Sequence, residues 1–343
     1  MKISESIQWE KLSPKTVIPN KENTKKISLL AFCHEVLVKP VSTAVFGNIL
    51  YEIAPNLSAI FRKFDDNSWK MNYEFPRFVA PDVYDAKDEI REVMLRYIRL
   101  PSERRGDAAW IIHALEDELK GAGIGEGDIA FFFFGLFWTI NGNAYKHLFW
   151  VLSYILFDTT LYKSILTEVE PAVAMGLEDL DNRLETCPHL VAVYEEVLRM
   201  NTSSVTVRDV IADTKMGKVI LRKGAKVFAP TRQLHFDPLV FGANVQEFDS
   251  DRFLRNKELN KSNSFRPFGG GITHCPGRWL AMKEILVCVA LFLTRFEVEL
   301  DGAGNGSAAQ TFPKVDTTML ALGVLPPMKG EDVLVNLRLK EKN

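Results

Sequence analysis

The sequence predicts a mainly α fold with a small β portion, and three observations carry the prediction. Apolar residues recur at three- and four-residue spacing through the first half of the chain. Beyond about residue 200 the period changes to apolar–polar alternation in short Val-rich segments. Helical spacing then returns in one last stretch. With 343 residues, 47% hydrophobic and 25% charged, the chain has the composition of a globular protein, which excludes disorder, collagen and coiled coil.

The elements follow in order. Residues 27–45, 49–64, 86–98 and 108–119 read as helices bounded by Pro, Gly or Asn. A long central helix over about 128–157 starts after the turn GAGIGEGD, with Asp128 as its N-cap. Its 129–157 part is long enough to span a bilayer. Asn141, Asn143, Lys146 and His147 split it into apolar runs of about 12 and 10 residues, short of the roughly 18–20 a spanning helix wants, so it reads as buried. The phenylalanines at 131–134, with Phe137 and Trp138, read first as core; if a cofactor lies against the 135–143 face, some would line an apolar pocket. A helix over about 188–200 opens on Pro188, which suits a first helical position. VTVRDVIA, KVILRKGAKVFAP and DVLVNLRLK alternate and read as strands, and the last helix covers 277–296. No repeat or Ser/Gly linker divides the chain, so 1–343 reads as one domain.

With 42 Lys+Arg against 44 Asp+Glu, no basic excess exists to drive nucleic-acid binding. Four cysteines (Cys33, Cys187, Cys275, Cys288) without a C-x-x-C pair argue against a disulfide framework and a zinc ribbon. The first 26 residues hold no apolar run, so neither a signal peptide nor an anchor is expected there. Neither H-E-x-x-H nor G-x-S-x-G occurs, which disfavours metalloprotease and serine-hydrolase chemistry.

The densest chemical signal is SFRPFGGGITHCPGRW at about 265–278, where glycines precede Cys275 and a helix follows it. Glycines let backbone amides approach the sulfur, and a helix N-terminus places partial positive charge beside it. Both favour the thiolate and suit an axial ligand to haem iron. Cys288, inside VCVALFL, reads as core packing.

Phe268-x-x-Gly271-x-x-x-Cys275-x-Gly277-Arg278 resembles the haem-binding loop of the cytochrome P450 enzymes. Glu196 and Arg199 stand as the family's E-x-x-R pair, with Arg252 in FDSDRF at its later arginine. The resemblance implies a structural staple between them, the family's Pro-Glu being Ser250-Asp251 here. It implies haem b, with Cys275 as metal ligand and Phe268, Gly271, Gly277, Arg208 and His235 as cofactor-binding. Arg208 matches a propionate contact or is a surface residue, and His235 neutralises something near the haem edge or caps the turn before Asp237-Pro238. Thr273 replaces the usual Arg or His, leaving one propionate contact open.

In FWTINGNAYKHLFW the resemblance is to the branch with cholesterol 7α-hydroxylase and prostacyclin synthase, with Gly142 and Asn143 at the acid and alcohol positions. These two are the candidate catalytic residues, Asn143 ordering distal water; they also read as a helix distortion. Lys146 and His147 are expected to face a partner segment or solvent rather than iron. Segments 202–206 and 319–324 fall where the family's substrate-contacting edges lie.

The implied function is a monooxygenase inserting one oxygen atom from O2 into an apolar lipid, sterol or terpenoid-like substrate. Electrons come from NADPH-cytochrome P450 reductase, and the enzyme works as a monomer. The alternatives are an isomerase or dehydratase of a peroxide, and a catalytically silent haem-binding paralogue. The chain looks like the C-terminal two-thirds of a member, without the anchor, the first sheet strands and the Trp/Arg helix that meets the propionates. Weaker haem retention and exposed apolar surface are expected. A full-length member would sit on the cytosolic face of the endoplasmic reticulum membrane; this chain, lacking the anchor, is expected in the cytosol.

Overall fold

In the computed structural model the described residues are 2–12, 17–18, 24–302, 310–319 and 323–340. The architecture is a helical assembly with small antiparallel sheets at its side. The helices used below are α1 (Leu29–Phe46), α2 (Leu57–Asp65), α3 (Pro81–Ile98), α4 (Glu126–Asn141), α5 (Ala144–Phe157), α6 (Thr159–Ala174), α7 (Pro188–Asn201) and α8 (Arg278–Arg295). The strands are β1 (Lys25–Ser28), β2 (Thr202–Ser203), β3 (Val205–Asp209), β4 (Lys226–Pro230), β5 (Phe296–Leu300), β6 (Gly323–Val324) and β7 (Leu334–Leu339).

Helix α5 is the hub. It is apolar nearly all round, the pattern of a helix enclosed on every side, and packs against α1, α7 and α8. Helix α1 is the one helix among the described residues long and apolar enough to cross a membrane by length and composition, yet 61% of it is buried inside the fold. Its Pro40 cannot donate to the Val36 carbonyl, and Ser6 Oγ donates to that carbonyl instead at 3.3 Å.

Several expected boundaries shift. The helix expected from residue 27 begins at Leu29, because Lys25–Ser28 is strand β1, paired with β7, which also pairs with β5. Ile27, Val335 and Leu337 alternate into the core from that sheet. Ser28 ends the strand by capping α1, its Oγ accepting from the Ala31 N–H at 3.0 Å. The stretch expected as one helix over 49–64 is broken before Leu57, and Asp128 sits inside α4, whose N-cap is Gly125.

The central helix expected over 128–157 is two helices, α4 and α5, parted at Gly142–Asn143. Asn143 has φ −117°, and its carbonyl opens α5 by accepting from the His147 N–H at 3.0 Å. The phenylalanines resolve into core and surface. Phe133 and Phe137 pack on Phe46 and Phe61, and Phe134 on Phe64, at ring-centroid distances of 5.1–6.2 Å. Phe131 and Phe132 are exposed. Burial worth about 1.5–3 kcal/mol per side chain explains this use of the inner face.

Candidate active site

The cysteine loop is built from its backbone. The Cys275 N–H donates to the Phe268 carbonyl at 3.1 Å and the His274 N–H to the Gly271 carbonyl at 3.2 Å, closing two turns. Gly269 and Gly271 hold φ of +75° and +66°, which side chains rarely adopt. Gly277 caps α8, and a Cβ there would lie 3.8 Å from Cys275 Sγ, so the sulfur stands beside the helix's amino end. Arg278 Nη1 donates to the Cys275 carbonyl at 2.9 Å. Burial pushes the Cys33, Cys187 and Cys288 thiols up, whereas Cys275 is partly exposed.

Around this sulfur, Ile272 is fully exposed, and Trp279 and Leu280 are more than half exposed. Arg208, on β3, reaches the same loop, its Nη2 donating to Thr273 Oγ1 at 2.7 Å. The loop threonine that replaces the family's usual base is therefore the residue Arg208 binds.

Glu196 and Arg199 of α7 and Arg252 meet in one buried cluster. Arg199 donates to Glu196 through Nε at 2.8 Å and Nη2 at 2.7 Å, and Arg252 Nε donates to both carboxylate oxygens at 3.1 and 3.2 Å. The Asp249 N–H adds a bond at 3.1 Å. The two guanidiniums also bind the carbonyls of His235, Val245, Phe241, Asn244 and Glu247. This fastens α7 to the segment leading toward the cysteine loop. Ser250 and Asp251, in place of Pro-Glu, leave that geometry complete.

Two candidate residues are given partners within the protein. His235 is fully buried and its Nε2 accepts from the Arg266 N–H at 2.9 Å, so it braces the start of the loop. Burial lowers its pKa to about 4, consistent with a neutral acceptor. Asn143 Oδ1 accepts from the Val324 N–H at 2.9 Å, holding β6 against the helix break. Gly142 packs so closely on Trp138 that a Cβ would lie 3.1 Å from its carbonyl, so this glycine shapes the break.

The break is clasped by a residue the sequence did not single out. Asp65, at the end of α2, accepts from Trp138 Nε1 at 3.2 Å and Tyr145 OH at 2.7 Å, and pairs with Lys146 at 2.6 Å. One buried carboxylate thus holds α4 and α5 from opposite sides of Gly142–Asn143. Its distance in sequence from the break left no motif to find it by; the Lys146 reading, toward a partner segment, was the available signal.

A cavity of about 620 Å³ opens beside the break, lined by Trp138, Gly142, Asn143, Lys146, Met319 and Val324 among others. Segment 319–324, expected to contact substrate, contributes through Met319 and Val324, while 320–322 lie outside the described residues. Of the aromatic run, Trp138 lines it, while the phenylalanines at 131–134 and Phe137 do not.

The residues at the cysteine loop fit haem b. Among the described residues no three His, Cys, Asp or Glu side chains converge to hold a metal. A lone cysteine therefore suits an iron that brings its other ligands with it, with exposed apolar side chains for the ring and an arginine for its carboxylates.

A mainly helical fold with one cysteine in a glycine loop ahead of its last long helix defines a haem-thiolate class. A family model described as Cytochrome P450 matches residues 144–319. The chain belongs to the cytochrome P450 family, whose cofactor is haem b. It is 29% identical over 252 residues to the cytochrome P450 monooxygenase poxD of Penicillium oxalicum, covering 69% of this chain and 51% of that protein. It is 27% identical over 352 residues to 5-beta-cholestane-3-alpha,7-alpha-diol 12-alpha-hydroxylase of Sus scrofa, covering 92% and 67%. Cytochrome P450 7A1 of the same animal is 24% identical over 340 residues, covering 91% and 66%. The chain spans about half the length of the fungal relative.

Proposed function

We propose that this chain carries the haem-thiolate site of a monooxygenase that inserts one oxygen atom from dioxygen into a small organic substrate. The observation that carries the reading is Cys275, partly exposed at the amino end of α8 in a loop also bound by Arg208. Cys275 would ligate the iron, Arg208 would meet a propionate, and Phe268, Gly271 and Gly277 would shape the loop. Haem, when bound, supplies the iron centre that activates dioxygen with electrons from NADPH-cytochrome P450 reductase. The chain's own residues position the substrate: the Asp65 clasp fixes the helix break, Asn143 holds β6 against it, and the cavity beside it receives the molecule. In this reading the protein works as a monomer; a full-length member would sit on the cytosolic face of the endoplasmic reticulum membrane, and this chain in the cytosol.

The test is turnover with haem, reductase and NADPH, tracking NADPH consumption against oxygenated product. Coupled consumption supports the proposal. Turnover of a hydroperoxide without reductase, and none with NADPH, would replace it by a peroxide isomerase; haem binding with neither turnover would leave a silent haem binder.

A further inference from the structure

The cavity beside the helix break has a lining that a hydrocarbon does not require. Leu30, Met319, Val324 and Trp138 give it an apolar portion, but Arg62, Lys70, Lys146 and Lys329 also face it, with Asp65, Asp66, Asp316 and Asp332. Formal charges balance, so the hydrogen-bond inventory decides what an occupant must offer.

The acidic side is partly consumed by the fold. Asp65 has three donors in Trp138, Tyr145 and Lys146. Asp332 accepts from Ser28 Oγ, the Leu30 N–H at 3.0 Å and the Val333 N–H at 2.8 Å. Asp316 accepts from the N–H and hydroxyl of Thr318 at 2.9 and 2.6 Å. Both of those bonds fall on Asp316 Oδ1, so Asp316 and Asp66, whose side chain is 57% exposed to water, keep acceptor capacity.

On the basic side Lys70 is paired with Asp82, but Lys146, Arg62 and Lys329 keep donors to spare. An ammonium has three donors, and Lys146, with a side chain only 12% exposed, has one charged partner, Asp65. Arg62 offers a guanidinium with five donors and, among the described residues, its one ion-pair partner is Asp66, at 3.8 Å. Lys329 has no ion-pair partner among the described residues. Lys146 and Arg62 thus both face the cavity with N–H groups to spare, and a sheltered ammonium with unspent N–H groups is costly unless an acceptor reaches it.

We infer that this cavity takes an organic acid, an apolar body bearing a carboxylate, with the carboxylate against Lys146 and Arg62. The inference rests on the proposed reading of the cavity as the substrate site, and names its substrate class. A volume of about 620 Å³ suits a molecule of this kind, since ligand pockets run roughly 300–1,000 Å³.

The experiment compares three probes of one chain length, dodecanoate, dodecanol and dodecylammonium, titrated by calorimetry into the purified holoprotein below their aggregation concentrations. The expected result is dodecanoate binding at least about tenfold tighter than dodecanol, with dodecylammonium weakest. Arg62→Met and Lys146→Met should each reduce the acid-to-alcohol ratio several-fold. Arg62→Met keeps the test open if Lys146→Met, by loosening the Asp65 clasp, fails to fold. Equal affinity for acid and alcohol, or a preference for the ammonium, would overturn the inference. Repeating the titration on Cys275→Ala separates it from the haem reading: acid preference retained there, with haem ligation lost, supports the pocket independently, and acid preference absent in a haem-loaded parent sinks the pocket alone.

Discussion

Replacing Glu196 by glutamine tests how the fold holds the cysteine loop. The carboxylate is fully buried between Arg199, also fully buried, and Arg252, 4% exposed. It accepts four guanidinium contacts at 2.7–3.2 Å and the Asp249 N–H. The amide removes the counter-charge of both guanidiniums and turns one acceptor into a donor that faces N–H groups. Breaking a buried ion pair from one side costs about 3–5 kcal/mol. That is a large part of the roughly 5–15 kcal/mol that holds a protein folded. At about 1.4 kcal/mol per tenfold it is two to three and a half powers of ten in the folding equilibrium. With a urea m-value near 3 kcal/mol/M, the midpoint should fall by about 1–1.7 M. Urea melts of parent and Glu196→Gln followed by far-UV circular dichroism read this directly. A midpoint within about 0.3 M of the parent would refute the assignment of Glu196 as the centre of the cluster.

Other outcomes follow from single contacts. Asp65→Asn leaves Lys146 without its counter-charge and should cost about 2–4 kcal/mol by the same melt, with a changed Trp138 emission because its indole loses a charged acceptor. Gly323→Ala would place a Cβ 2.3 Å from Asn143 Oδ1, so overpacking of about 1–3 kcal/mol is expected; an unchanged midpoint would show that Asn143 does not hold β6. Stability should peak near pH 6.5. Burial lowers His34, His147 and His235 to about 3, 3 and 4, so the unfolded chain binds more protons below 6.5 and stability drops as pH falls. Burial also raises Glu195 and Glu284 to about 7 and 8, so the folded chain binds more protons above about 4.5 and stability drops as pH rises toward 8. Three histidines outweigh two acids below 6.5, and only the acids act above it. A urea midpoint still climbing between pH 6.5 and 8 would contradict this.

What the sequence disclosed was what lies close together along the chain. The loop around Cys275 is readable because its glycines, cysteine and following helix are contiguous, and Glu196 with Arg199 because one helical turn brings them together. Arg252 was reached through the family resemblance and meets them in space. Hidden was whatever depends on a distant partner. The bonds of Asn143 to Val324 and of His235 to Arg266 are of this kind. Asp65 carries no local signature at all, yet it clasps both halves of the broken helix. The break was half visible: Asn-Gly-Asn marks a distortion, but the apolar periodicity on either side reads as one continuous helix. The aromatic run divides, Trp138 facing the cavity and Phe133, Phe134 and Phe137 meeting Phe46, Phe61 and Phe64, because aromatic density alone does not say which a face will meet.

The central claim is that Cys275 binds haem iron through its sulfur, and the reduced, carbon-monoxide-bound absorption spectrum of the haem-loaded protein tests it most directly. The parent should show the red-shifted Soret band of a thiolate-ligated haem, and Cys275→Ala, with unchanged far-UV circular dichroism, should lose it. A parent spectrum typical of nitrogen ligation, or a thiolate band that survives in Cys275→Ala, would contradict the account.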